Sequence, residues 1–242
     1  MKTIDFISRI KGETRVDPQR FQRLRESLPL GEYADGEYVL SHRIPEIERY
    51  HHTCVTGALR AEFISRLLLT LSGLYEKSEA VFFIVSPNLS YGRLMQLSDS
   101  DFIIPFLTSA QDLPPILEAV RSLAAMRQGK RTGAKTFLVL DGLESLEPEE
   151  KRSSLECYRP FFEAVGTTGI EVITGVDLAR TIFAGYPSTF VGIGNCLVTP
   201  SVGGGMDVTY VGIDGSVALP KKCQYPSLPS IEECIELRNA KQ

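Results

Sequence analysis

"HHTCVTGALRAEFISRLLLTL", residues 51–71, passes from a strand-like run through a turn at Thr56–Gly57 into a helix-like run. Cys54–Val55 closes a buried strand. The helix spans Ala61–Tyr75 and carries Phe63, Ile64, Leu67, Leu68 and Leu71 on one apolar face. Strand–glycine–helix junctions of this kind hold phosphate, because the first helical N–H groups and the helix dipole favour an anion. A phosphate loop of the form G-x-x-x-x-G-K-[ST] also needs two glycines, a lysine for the phosphate oxygens and a hydroxyl for magnesium. Laid without gaps, Gly57 is followed by Ala58, Leu59, Arg60 and Ala61. The second glycine then falls on Glu62, the lysine on Phe63 and the hydroxyl on Ile64. The position is that of a nucleotide loop, and the residues are not.

The flanking sequence alternates strands and helices. "AVFFIVSPN", "KTFLVLDGLESL" and "GIEVITG" are continuous apolar runs, the pattern of parallel strands covered on both faces. "DFIIPFL" reads as another short strand. A helix follows from Asp112 through Pro114–Pro115 to about Gln128. Further helices are expected over roughly Glu149–Val165, bent near Pro160, and over "DLARTIF". "TFVGIGNCLV" reads as a further strand. Before the opening stretch, residues 17–27 read as a short amphipathic helix. "LPLGEYADGEYVLSH" reads as a hairpin turning at Asp35–Gly36. After it, "SVGGGMDVTYVGIDGSVALP" offers a glycine loop and a hairpin around Asp214–Gly215. Ser230 and Glu233 make a capping box for a last helix. The expected fold is α/β, a mainly parallel central sheet with helices on both faces and β-hairpin additions at both ends.

Bulk composition excludes several classes. At 242 residues, 43% hydrophobic and 23% charged, the chain can bury one large core. The net charge of −4, with its basic residues scattered, argues against direct DNA binding. Five cysteines with no C-x-x-C pair fit reduced thiols better than a metal site or a disulfide framework. No apolar run approaches the roughly 20 residues of a membrane helix, and the start has no cleavage signal. No membrane segment is therefore expected in this chain. A cytoplasmic location follows, either alone or as the cytoplasmic part of a membrane-anchored assembly.

Ligands of parallel sheets sit at the carboxyl ends of strands, and Thr56–Gly57 and Asp141–Gly142 are two such ends. Their order, a loop first and an aspartate-ending strand later, is that of P-loop NTPases. Pro29, Leu30, Gly31, Gly36, His52, Val55 and Gly57 resemble, in order, the opening of FtsK/SpoIIIE-type ATPase domains. "VFFIVSPN" resembles that family's strand ending in D-P-K, with Ser86 and Asn88 differing. "FLTSAQDLPPILEAV", "TFLVLDGLESL" and "GTTGIEVITG" resemble its later segments, so the likeness covers roughly residues 28–200. The ending "GSVALP" resembles type VII secretion modules of the EssC/EccC group. The resemblance implies a RecA-like P-loop NTPase fold over residues 28–242, with residues 1–27 as a helical lead-in. It also implies domains that stack on one another.

The departures within the site imply lost chemistry. The nucleotide site of the family maps to Gly57, Ala58, Leu59, Arg60, Ala61, Glu62, Phe63, Ile64, Asp141 and Gly142. Asp141 keeps the Walker B position, but Gly142 stands where a water-positioning acid is usual. No catalytic residue, metal site or cofactor is expected. The leading expectation is an inactive module that holds other ATPase domains of the same motor or a secreted substrate peptide, with self-assembly into a homo-oligomer as a further option. Phe63 and Ile64 would offer it an apolar surface or pack shut. Two alternatives stand beside it. One is an atypical hydrolase using ATP and Mg through Arg60 and Glu144; the other is a DNA-translocase relative. His52 and Cys54 share a strand face, but no acid orients them, so a structural role is expected for both. Gly203, Gly204 and Gly205 read as a hairpin loop, and Arg60 otherwise as a solvated helix-start residue.

Overall fold

A computed structural model of the chain describes residues 2–41, 52–76, 78–86, 103–107, 113–127, 134–142, 170–177, 196–210 and 217–226. Two helices open it, α1 (Thr3–Val16) and α2 (Pro18–Glu26). The joint between them is Asp17, whose side chain accepts hydrogen bonds from the backbone N–H groups of Gln19 and Arg20, both at 3.0 Å. Pro18 follows at the first helical position, where its missing N–H costs nothing. The short helix expected over 17–27 is α2, and α1 is an addition. It buries Phe6, Ile7 and Ile10 in the same core as the helix of the opening stretch.

Strands β1 (Pro29–Glu32) and β2 (Tyr38–Leu40) form the expected antiparallel hairpin. Its turn places Gly36 at φ 84°, and Asp35 accepts the Glu37 N–H at 3.0 Å. The main domain follows as β3 (His52–Thr56), α3 (Arg60–Leu74), β4 (Ala80–Val85), β5 (Ile103–Leu107), α4 (Leu113–Arg127), β6 (Lys135–Asp141), β7 (Ile170–Val176), β8 (Cys196–Pro200), β9 (Gly205–Tyr210) and β10 (Lys221–Gln224). The strands make one sheet in the order β2-β1-β10-β9-β8-β3-β7-β6-β4-β5. From β8 to β5 neighbouring strands are parallel; from β8 to β2 they are antiparallel.

Both faces of the parallel part are covered. Phe137 and Val139 of β6 lie in the core shared with α1 and α3, while Leu138 and Leu140 between them are equally inaccessible. Alternate residues point to opposite faces, so burial of all four requires a layer on each side. The step from β3 out to β4 and the step from β5 back to β6 run in opposite directions across the sheet. Right-handed crossovers then put α3 and α4 on opposite faces. Against α3, Phe82 stacks on Phe137 with ring centroids 4.9 Å apart, and Tyr75 meets the same ring edge-on at 5.6 Å.

The β-rich pieces at the two ends are one structure, not two additions. β1 pairs with β10 through Glu32 and Gln224. The hairpin loop expected at Gly203, Gly204 and Gly205 is present, and β9 and β10 on either side of residues 211–220 pair antiparallel. The glycine loop itself closes β8 onto β9, with Gly203 and Gly204 both at φ 85°. The next strand is Lys221–Gln224, and "SVALP" is not the strand. Asp214–Gly215, most of the helix expected at "DLARTIF", the helix over 149–165 and the capping box at Ser230 lie outside the described residues.

The β1–β10 seam leaves no room for a side chain at Gly31. A Cβ there would stand 2.1 Å from the Gln224 carbonyl oxygen and 2.8 Å from the Met206 methyl carbon. Gly31→Ala should therefore lower the unfolding free energy by about 1–3 kcal/mol. Gly12→Ala, in α1 with nothing within 4 Å of the added carbon, should raise it by roughly 0.5–1 kcal/mol. Urea denaturation followed by circular dichroism reads both.

Candidate functional site

Three residues, Gly57–Leu59, separate the end of β3 from the start of α3. Gly57 sits at φ 92°, a conformation in which a Cβ is strained. The Arg60 N–H bonds the Gly57 carbonyl at 3.2 Å, and the Phe63 N–H bonds the Leu59 carbonyl at 3.0 Å, so the helix is wound at once. Only Gly57, Ala58 and Leu59 form loop. Arg60, Ala61, Glu62, Phe63 and Ile64 are the first helical turn.

Helical geometry then sorts those side chains. Phe63 is 1% exposed and Ile64 not at all. They pack shut, and the apolar surface held open as the other outcome is absent. The Phe63 ring meets Tyr225 edge-on at 5.2 Å, just beyond β10. Glu62 turns to Arg66 one turn along, and these two form an ion pair. Arg66 also donates to the Pro226 carbonyl at 3.2 Å and lies 4.5 Å over the Tyr225 ring. The tail beyond β10 thus clamps the start of α3. Nothing in the sequence marked Tyr225 or Arg66 for this role, because they meet across about 160 residues of chain.

Arg60 departs from the solvated role expected of it. Its Nε donates to Oδ1 of Asp141 at 3.0 Å, and the side chains are 17% and 1% exposed. The contact crosses β7. Val55, Gly175 and Asp141 are register partners on three adjacent strands. Gly175 makes the crossing possible: a Cβ there would lie 2.0 Å from Asp141 Oδ1 and 3.0 Å from the Ile64 methyl. Gly142, at φ 75°, gives its N–H to the Gly175 carbonyl at 3.2 Å. Of the expected site residues, the structure brings Arg60, Ile64, Asp141 and Gly142 together around Gly175. Gly175 was missed as a site residue. A glycine ending an apolar strand hints at a close approach, but only the register shows to what. Glu144 lies outside the described residues.

The other candidates resolve as structure. His52 is buried, its Nε2 2.8 Å from Thr174 Oγ1, and burial holds its pKa down at about 3. Burial pushes the Cys54 thiol up to about 11 despite a hydrogen bond to Thr174. The imidazole is thus no base and the thiol no nucleophile at neutral pH. Among the described residues no group of three or more His, Cys, Asp or Glu side chains could hold a metal ion. Also among them, no helix is long and apolar enough to cross a membrane.

Solved structures share this architecture. EccC of Thermomonospora curvata, ATPases 2 and 3 in complex with a signal sequence peptide, superposes with TM-score 0.62 at 13% identity over 85% of this chain. EssC of Geobacillus thermodenitrificans, ATPases 2 and 3, gives 0.57 at 9% identity over 89%. The conjugation coupling protein TcpA of pCW3, solved with ATPγS, gives 0.59 at 13% over 88% of this chain and 71% of its own. The chain has the fold of the EccC and EssC secretion ATPase domains. At such identities the likeness is one of fold. The match spans 41% of the EccC chain and 49% of the EssC chain, so this chain corresponds to part of each. No family model and no curated protein matches the sequence itself.

A neutral buried histidine makes stability depend on pH. The folded pKa near 3 lies below the ordinary 6.5, so the unfolded chain binds the extra proton between those values. Stability is full above pH 6.5 and is lost as pH falls towards 3, with a slope of at most about 1.4 kcal/mol per pH unit from this group. His52→Gln, which cannot titrate, should flatten that part of the urea-midpoint profile.

Proposed function

We propose that this chain is a catalytically inactive P-loop ATPase-like domain, serving as a binding or scaffolding module of an FtsK/SpoIIIE-type motor in type VII protein secretion. The Arg60–Asp141 ion pair carries the reading. In phosphoryl transfer the Walker B aspartate works through a metal ion, and the loop lysine neutralises phosphate. Here the carboxylate is engaged by a cation of the chain itself. The lysine and hydroxyl positions, Phe63 and Ile64, are core. A loop of Gly57–Leu59 offers few N–H groups to a phosphate chain. These residues do not fit ATP and magnesium.

The binding role draws on the relatives. The EccC structure was solved with a signal sequence peptide, which favours a secreted peptide or a neighbouring ATPase domain as partner. Val202, at the tip of the β8–β9 loop, is 91% exposed. Thr199, on β8 just before that loop, lies 3.0 Å from Thr56, hydroxyl to hydroxyl. The carboxyl edge of the sheet therefore keeps an accessible apolar tip beside the closed phosphate loop.

The TcpA structure with ATPγS favours a second reading, a nucleotide-binding translocase subunit. Calorimetric titration with ATP-Mg at millimolar concentration decides between them. The expected result is no heat and no change in Tm. A nucleotide present at a hundredfold its Kd would add about 2.7 kcal/mol of stability, on the order of 5–10 °C for a chain of this size. Saturable heat with such a shift would establish the second reading.

A further inference from the structure

We infer that Arg60 is a built-in counter-ion that ties helix α3 to strand β6 in place of a nucleotide, holding the carboxyl ends of β3, β7 and β6 in one ligand-independent conformation. The inference rests on the inactive reading above and assigns to the same site a standing structural role.

Three observations carry it. First, the tie spans two strands. Arg60 leaves the first turn above β3, passes Gly175 on β7 and meets Asp141 on β6. Adjacent strands lie about 4.8 Å apart, and the tie passes over the whole of β7 between them. Second, the passage is sterically reserved, since any side chain at position 175 would occupy the space of the Asp141 carboxylate. Third, Phe63 in the same turn and Arg66 in the next are held against Tyr225 and Pro226. The first turn of α3 is thus held through both Arg60 and Phe63. A carboxylate 1% exposed loses far more when its cation is removed than when both charges go together.

The test is a thermal and hydrogen-exchange cycle on the full chain. Arg60→Met should lower Tm by about 6–12 °C and speed exchange of the 56–63 amides, with or without ATP-Mg. Asp141→Asn added to it should return at least half of the loss. Gly175→Ala, which displaces the carboxylate, should cost about as much as Arg60→Met, and the two together little more than either. If Arg60→Met does not fold, recovery of a folded protein by the double variant with Asp141→Asn supports the tie equally. The inference is overturned if Arg60→Met leaves Tm and exchange unchanged. It is equally overturned if its losses add fully to those of Gly175→Ala, or if Asp141→Asn returns nothing. Nucleotide heat in the wild type would instead overturn the inactive reading, so the two failures are distinct.

Discussion

The row Val55–Gly175–Asp141, lined up across three parallel strands at their carboxyl ends, fixes where α3 can begin. The helix must descend onto the one position in that row without a side chain. Arg60 and Ile64, one turn apart on the same helical face, straddle Gly175: one reaches past it to a carboxylate, the other packs on it. A longer loop would lift the first turn and draw Arg60 away from a carboxylate with 1% exposure. The short loop, the buried ion pair and the bare glycine therefore require one another. A change in any one is felt by the other two.

The second constraint comes from the chain ends. β1 and β10, nearly 200 residues apart, pair through Glu32 and Gln224 and extend a parallel core with an antiparallel flank. That seam brings the tail to α3, where Tyr225 covers Phe63 and stacks with Arg66. Towards the other end of the same helix, Gly73 lets Ile7 of α1 come close, since a Cβ there would stand 2.5 Å from the Ile7 methyl. Ten of the fifteen residues of α3 are buried. The helix is gripped by α1, the tail beyond β10 and the central sheet.

Much of this architecture is legible in the sequence, because hydrophobic period and turn chemistry are local. The continuous apolar runs give β4, β6 and β7, the spacing of Phe63 to Leu71 gives α3, and Asp35–Gly36 gives the β1–β2 turn. Helix α1 escaped, as its apolar residues Phe6, Ile7 and Ile10 mean little until α3 is placed against them. The glycines of "SVGGG" announce the turn that closes β8 onto β9, but nothing local says that the strand after β9 is Lys221–Gln224 and not "SVALP". At the site, the residues were legible and their pairings were not. Gly57 and Asp141 announce strand ends, but the Arg60 contact depends on which strand lies between them.

Losing a phosphate loop is often pictured as subtraction, a cation and a hydroxyl deleted from an otherwise intact cradle. The geometry here is a rearrangement of charge. On the proposed inactive reading, Phe63 at the lysine position is core, and the cation beside the sheet is Arg60, three residues earlier. A site emptied of its ligand while keeping a buried aspartate would be unstable, because that carboxylate would lose the positive charge that justified its burial. Two solutions exist: neutralise the aspartate, or bring a cation from within. Asp141 beside Arg60 matches the second.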